Sequence, residues 1–202
     1  RTGGTVTGDT RQSWIRTVAR GARYAIAAVF VTGIRRRNPG AVVNAAVSYL
    51  ATFLPSLVGR YYGVEFRPWQ RAYLNTGLLA HAVGMLGPYD DVWWWDHVTH
   101  VYSATLLGGL IHLSARHRNR DPTPRVLAGV LGAGALWELV EYAIHGASRR
   151  VGLEPLLVSY GRTDTLLDLL FDLVGALLVL AVGDRLVPAS RRDGDQGSED
   201  AG

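Results

Sequence analysis

The sequence predicts an all-α fold: a polytopic transmembrane bundle of about six helices. Three observations carry this. Apolar stretches of near-spanning length recur along the chain, with Pro and Gly between them. All 21 basic residues are Arg and cluster between those stretches. Segments such as 41–58 and 173–183 have no polar outer face, which a soluble helix needs.

The whole-chain averages are less informative. Over 202 residues the net charge is +4, the pI about 9.7 and the mean hydropathy only +0.09. Residues 1–13 and 188–202 are rich in Gly, Ser, Asp and Arg and read as disordered tails, leaving 14–187 as one helical domain. A basic pI fits nucleic acid in general, but the placement of the arginines points to a lipid bilayer and to no nucleic-acid partner. With no Cys, disulfides, thiol nucleophiles and sulfur-ligated metals are excluded.

A bilayer core about 30 Å thick needs roughly 20 mainly apolar helical residues. Six segments come near this: 18–34, 41–58, 72–86, 92–113, 126–145 and 165–187. The first is the weakest, because Arg20 and Arg23 interrupt it; it reads as an interfacial helix or a short span with snorkelling arginines. Asn38-Pro39-Gly40, Arg67-Pro68, Gly87-Pro88, Asp121-Pro122-Thr123-Pro124 and Glu154-Pro155 punctuate the segments where helices stop or start. Trp93, Trp94 and Trp95 read as an aromatic belt at the membrane surface. If all six segments cross, fifteen arginines fall on the side of the termini. The positive-inside rule then puts both termini in the cytoplasm of a cell-membrane protein. The run Arg35, Arg36, Arg37 opposes this locally.

Ionisable residues inside such segments are costly, about 2.5–3.5 kcal/mol each on insertion scales, and normally face a bundle interior with partners. Three consecutive segments carry them. The fourth has Asp96, His97 and His100, with Ser103 a turn on. The fifth has Glu138, Glu141, Tyr142 and His145. The sixth has Asp164, Asp168 and Asp172. Spacings of three and four put Asp96 with His100, Glu138 with Glu141, and the three aspartates on single helix faces. His97 lies about 100° from Asp96 and faces a different neighbour. With alternating helix directions, all three clusters fall at one end of the bundle, as does His81. His100, Glu138 and Asp172 form a layer roughly 12 Å deep, with Asp96, Glu141 and Asp168 about a turn above it. His112 and His117 read as solvated loop residues at the other end.

Six carboxylates so close cannot all stay ionised without cations. Carboxylates and imidazoles from facing helices are the ligand set of metal sites in bundles. Asp96, His100, Glu138, Glu141, Asp164, Asp168 and Asp172 are therefore the candidate ligands of one or two divalent metals. Zn, Mn, Fe, Mg and Ca all suit oxygen and nitrogen donors. His97 and His145 are the candidate acid–base residues, although Asp164 and His145 also fit a helix cap and a loop-end histidine. The expected chemistry is metal-assisted hydrolysis or transfer on a lipid-like, amphiphilic substrate. Cation or proton transport and a non-catalytic scaffold are the alternatives.

The motifs Trp95-Asp96-His97-x-x-His100, Trp137-Glu138-x-x-Glu141-Tyr142 and Asp164-Thr165-x-x-Asp168-x-x-x-Asp172-x-x-Gly175 resemble the YjdF-like family of uncharacterised polytopic inner-membrane proteins. The likeness covers roughly residues 70–187 and implies a multi-helix membrane fold without implying a chemistry. The motifs of lipid phosphatases, CDP-alcohol transferases, His-Glu-x-x-His zinc proteases and histidine-box desaturases are absent.

Overall fold

The structure, a computed structural model, describes residues 6–62, 66–153 and 155–186, and these form eight helical segments. They are α1 (Val6–Arg35), α2 (Pro39–Ala51), α3 (Leu54–Tyr62), α4 (Pro68–Gly84), α5 (Pro88–Asp91), α6 (Trp95–His117), α7 (Pro122–Arg150) and α8 (Arg162–Leu186). The expected second segment is split into α2 and α3. Pro55 has no N–H for the Ala51 carbonyl, and Thr52 and Phe53 turn back on Ser48, Tyr49 and Leu50 instead. Within the stretch 1–13 expected as a tail, α1 already starts at Val6, and residues 1–5 lie outside the described residues. Once a helix is nucleated each further residue adds a hydrogen bond, so polar residues readily prolong it. The expected C-terminal tail lies outside the described residues.

The ends of the helices follow from local sequence. Asn38 caps α2 through the Ala41 N–H, with Pro39 in the first turn; Asp121 caps α7 through the Thr123 N–H, followed by Pro122. Three helices close with the same C-terminal motif, in which a residue at positive φ returns the chain onto the last turn. At α1 that residue is Arg37, with Asn38 N–H donating to the Gly33 carbonyl. At α6 it is Asn119, with Arg120 N–H donating to Ala115; at α7 it is Gly152, with Leu153 N–H donating to Ser148.

The helices pack as two groups. In one, α1 lies against α2 and α4 around Ile26, Val29, Ala45 and Ala82. In the other, α6 packs most extensively on α8 and both contact α7, around Ala104, Val126, Val130 and Ala176. The groups meet along α4 and α6, where Tyr73 stacks on Tyr102 at 4.2 Å and Tyr102 donates to the Tyr73 carbonyl at 2.6 Å. At the heart of the second group Gly175 lets α8 approach α6. A Cβ there would sit 2.6 Å from the Ala104 methyl and 2.8 Å from the Val101 carbonyl oxygen.

The distribution of polarity is inverted relative to a water-soluble protein. Asn75, His97, His100, Asp168 and Asp172 are buried, whereas Leu139, Leu166, Leu170 and Leu177 are exposed. An apolar exterior over a polar interior matches hydrocarbon as the surroundings. Pro39–Tyr61, Pro122–Arg150 and Arg162–Arg185 are long and apolar enough to cross a bilayer.

Gly175→Ala is expected to lower the melting temperature of the detergent-solubilised protein by about 3–10 °C, as overpacking of ~1–3 kcal/mol implies for this length. Gly132→Ala, where a Cβ meets nothing within 4 Å, is the control that leaves it unchanged or higher. Equal behaviour of the two variants in thermal denaturation would contradict the close α6–α8 contact.

Candidate functional site

Helices α6 and α8 run in the same direction, with α7 returning between them, so residues at equal depth on α6 and α8 face each other. Two His–Asp pairs cross this interface one turn apart. His97 Nδ1 lies 3.1 Å from Asp168 Oδ1, and His100 Nδ1 lies 3.2 Å from Asp172 Oδ1. The spacing of three on α6 meets the spacing of four on α8, giving the two layers that the sequence predicts. His97 does face away from Asp96, as its angular offset implies. Its ring stacks flat on Phe171 at 4.7 Å.

His100 is the centre of the arrangement. While Nδ1 is held by Asp172, Nε2 points at three carboxylate oxygens: Asp96 at 3.8 Å, Asp168 at 3.9 Å and Glu138 at 4.0 Å. These distances are too long for hydrogen bonds. Asp168 is 1% exposed and His100 7%, so both groups are withdrawn from bulk solvent. Glu138 Oε1 is buried without a hydrogen-bond partner among the described residues, as is Asp172 Oδ2. The other Glu138 oxygen accepts from the Thr165 hydroxyl at 2.7 Å, which fixes the carboxylate. Gly134 makes space for Asp172, since a Cβ there would overlap the Asp172 carboxylate.

Ligand atoms of Asp96, His100 and Asp168 all lie within 4.8 Å of one another, a group able to hold a metal ion. Donors at about 2.0–2.2 Å from a common ion are themselves ~3–4 Å apart, so the separations fit. Glu141 lies on the wall of the adjoining cavity. Asp164 is half-buried in the first turn of α8, where a carboxylate also favours the helix dipole. His145 stands apart from the cluster, and its Nδ1 accepts from the Ser159 N–H at 3.2 Å.

A cavity of about 810 Å³ lies between the two helix groups and reaches Asp96, His100, Glu141 and Asp172. Its lining is mixed: Leu78, Leu107, Val130 and Trp137 give it apolar walls, while Arg36, Arg37 and Tyr160 supply polar groups. Tyr160 donates to Asp90 at 2.5 Å. Burial, and then the carboxylate of Asp90 beside it, push the Tyr160 hydroxyl above the usual tyrosine range, so it stays protonated.

Sequence reasoning missed a polar chain that leads to Asp96 from the other helix group. Asn44 donates its amide N–H to the Gly40 carbonyl, and its Oδ1 accepts from His81 Nε2 at 3.1 Å. His81 Nδ1 meets the Tyr89 hydroxyl at 2.7 Å, Tyr89 reaches Thr99 at 3.3 Å, and Thr99 donates to the Asp96 carbonyl at 2.7 Å. Asn44 and Tyr89 carry no spacing signal, and only the depth of His81 connected it to the site. His112 is a correction. It is 2% exposed, because Gly183 leaves room for its ring, and it bonds Asp184 at 2.9 Å; Asp184 is also paired with Arg116. His117 is exposed at the end of α6, as expected.

Fold and site together define a helical membrane protein with a buried carboxylate–histidine centre. The family model described as "Predicted membrane protein (DUF2238)" matches residues 19–188, and the chain belongs to that family. The YjdF-like resemblance agrees with it. An "Uncharacterized protein" of Thermotoga maritima is 26% identical over 141 residues, covering 64% of this chain and 69% of its own. No solved structure matches.

Removing one member of a buried pair leaves its partner unsatisfied, at a cost of about 1–3 kcal/mol. In a double-mutant cycle with His97→Phe and Asp168→Leu, measured in excess chelator, each single change is expected to destabilise more than the pair together. Strict additivity would contradict direct coupling of His97 and Asp168.

Proposed function

We propose that this is an integral membrane enzyme that holds a divalent metal ion through Asp96, His100, Glu138 and Asp168. It uses that ion for hydrolysis or group transfer on a lipid-like, amphiphilic substrate. The observation that carries the reading is the two-sided use of His100: one ring nitrogen is fixed by a buried carboxylate, and the other is aimed at three oxygens it does not hydrogen-bond. A histidine ligand normally has its far nitrogen held in this way, which sets the tautomer and the ring orientation. One imidazole among carboxylates suits Zn, Mn or Fe better than Mg or Ca.

Asp172 then orients His100, and His97 orients Asp168. Glu141 and Asp164 extend the carboxylate set toward the cavity and the helix end. An ion held by these residues would supply Lewis-acid activation of a substrate or water oxygen. The residues of the chain supply the rest. Glu141, on the cavity wall, is placed to accept a proton from a group in the cavity, whereas His97 and His145 are engaged with Asp168 and Ser159. The apolar walls suit the hydrocarbon part of a substrate, and Arg36 and Arg37 suit an anionic head.

Enzyme is favoured over transporter by what lies below the lower layer. The buried core of the α6–α7–α8 group, Ala104, Val126, Val130 and Ala176, is apolar and supplies no polar side chain to pass a cation or proton onward. The arginine distribution supports a location in the cytoplasmic membrane with both termini inside.

Elemental analysis of the detergent-purified protein tests the metal. About one divalent ion per chain is expected, lost in His100→Ala and Asp168→Asn and retained in His145→Ala. No bound metal after loading with Zn, Mn or Fe would overturn the reading. Mass spectrometry of a lipid extract incubated with the loaded protein tests the chemistry: Glu141→Gln is expected to keep the metal and slow substrate loss by about 10²–10⁴-fold. Metal flux into proteoliposomes without lipid turnover would favour transport instead.

A further inference from the structure

The hairpin between α6 and α7, at the end of the bundle remote from the His–Asp centre, carries Arg116, Arg118, Arg120 and Arg125 within ten residues. Among the described residues only Arg116 is ion-paired, with Asp184. The remaining acid of the hairpin, Asp121, is turned onto the Thr123 N–H as the cap of α7. Arg118 and Arg120 make no ion pair or side-chain hydrogen bond among the described residues, and Arg125 donates only to the Asp121 carbonyl. Among the described residues, three guanidinium groups therefore line one groove with no ion-paired carboxylate.

Their positions are fixed by the backbone. Asn119 at φ 51° and the bonds Arg120 N–H to Ala115 and Asn119 N–H to Arg116 lock the end of α6. Asp121 and Pro122 start α7 immediately afterwards, so the connection has little freedom. Beneath the arginines lies a shallow groove of about 260 Å³, with Leu110, Ile111 and Ala115 as its apolar part and Ser114, Arg118, Arg120 and Arg125 around them. Leu110, Ser114 and Arg118 recur every fourth residue and form one outward stripe about 12 Å long. Leu110 is 58% exposed. The stripe thus passes from apolar to hydroxyl to cationic over the distance between an acyl chain and its headgroup.

We propose that this groove binds an anionic phospholipid of the surrounding bilayer. The phosphate lies between Arg118, Arg120 and Arg125, and an acyl chain lies along Leu110 and Ile111. Basic pockets beside transmembrane helices recognise anionic headgroups through guanidinium–phosphate hydrogen bonds. A free phosphate would use the arginines but not the apolar stripe. The site is independent of the metal centre and of the chemistry assigned to it.

Native mass spectrometry of the delipidated full-length protein, titrated with phosphatidylglycerol or phosphatidylcholine, tests the site. One phosphatidylglycerol is expected to bind at least tenfold more tightly than phosphatidylcholine. Arg120→Gln alone should weaken it by about fivefold, and the triple change Arg118→Gln, Arg120→Gln, Arg125→Gln by roughly 100-fold. These side chains are exposed, so an unchanged melting temperature accompanies the loss. Leu110→Gln should weaken the lipid while leaving sn-glycerol 3-phosphate unaffected. Equal affinity for the two lipids, undiminished binding by the triple variant, or glycerol phosphate binding as tightly as the lipid would each overturn the proposal.

Discussion

Everything at the functional end of this molecule depends on charge-bearing side chains buried against one another between helices. Two imidazoles and two carboxylates fill the α6–α8 interface as paired layers, with His97 on Asp168 and His100 on Asp172. A buried pair of this kind survives only when each group's partner is held in place, since losing one leaves the other exposed to the full cost of desolvation. The pairs therefore constrain the helices as much as the helices constrain the pairs. They set the parallel register of α6 and α8, and they require small residues wherever the side chains must fit. Gly134 yields space to Asp172, and Gly175 brings the two backbones together just below.

A second consequence is local imbalance. The two His–Asp pairs satisfy one oxygen of each aspartate, yet Asp96 and Glu138 add further carboxylate to the same pocket, and Glu138 Oε1 and Asp172 Oδ2 have no hydrogen-bond partner among the described residues. No arginine side chain hydrogen-bonds or ion-pairs with the cluster among the described residues, because the arginines are at the helix ends and in the cavity mouth. This excess of acceptors around a single free imidazole nitrogen favours a cation in the role of missing partner. The cavity beside it brings in the other helix group through Asn44, His81, Tyr89 and Thr99, so both halves of the bundle bear on the geometry of Asp96.

Much of this was legible in the sequence because helices report themselves by period. The spacing of Asp164, Asp168 and Asp172, and of Asp96 and His100, indicated which groups share a face. The alternation of helix direction then predicted that they meet at one end. The sequence-based ligand set was broader than the geometry, because periodicity gives a face and a depth but not the partner across an interface. It could not separate Asp172, behind His100, from Asp168, in front of it. Pairing across chain-distant helices also hid the burial of His112, whose partner Asp184 lies 72 residues away. The break between α2 and α3 was written in Pro55, but an apolar run conceals an interruption. The extension of α1 into polar residues at Val6 had no hydrophobic signal to announce it.

The central claim is that His100 and the carboxylates around it converge on one ion. X-ray absorption spectroscopy of the zinc- or manganese-loaded protein tests this directly. The account predicts a shell of oxygen and nitrogen donors, at about 2.0–2.2 Å for zinc, with the outer-shell scattering of a single imidazole and no sulfur. His100→Ala should abolish that imidazole signature. A spectrum of fully hydrated ion, or an imidazole contribution unaltered by His100→Ala, would contradict it.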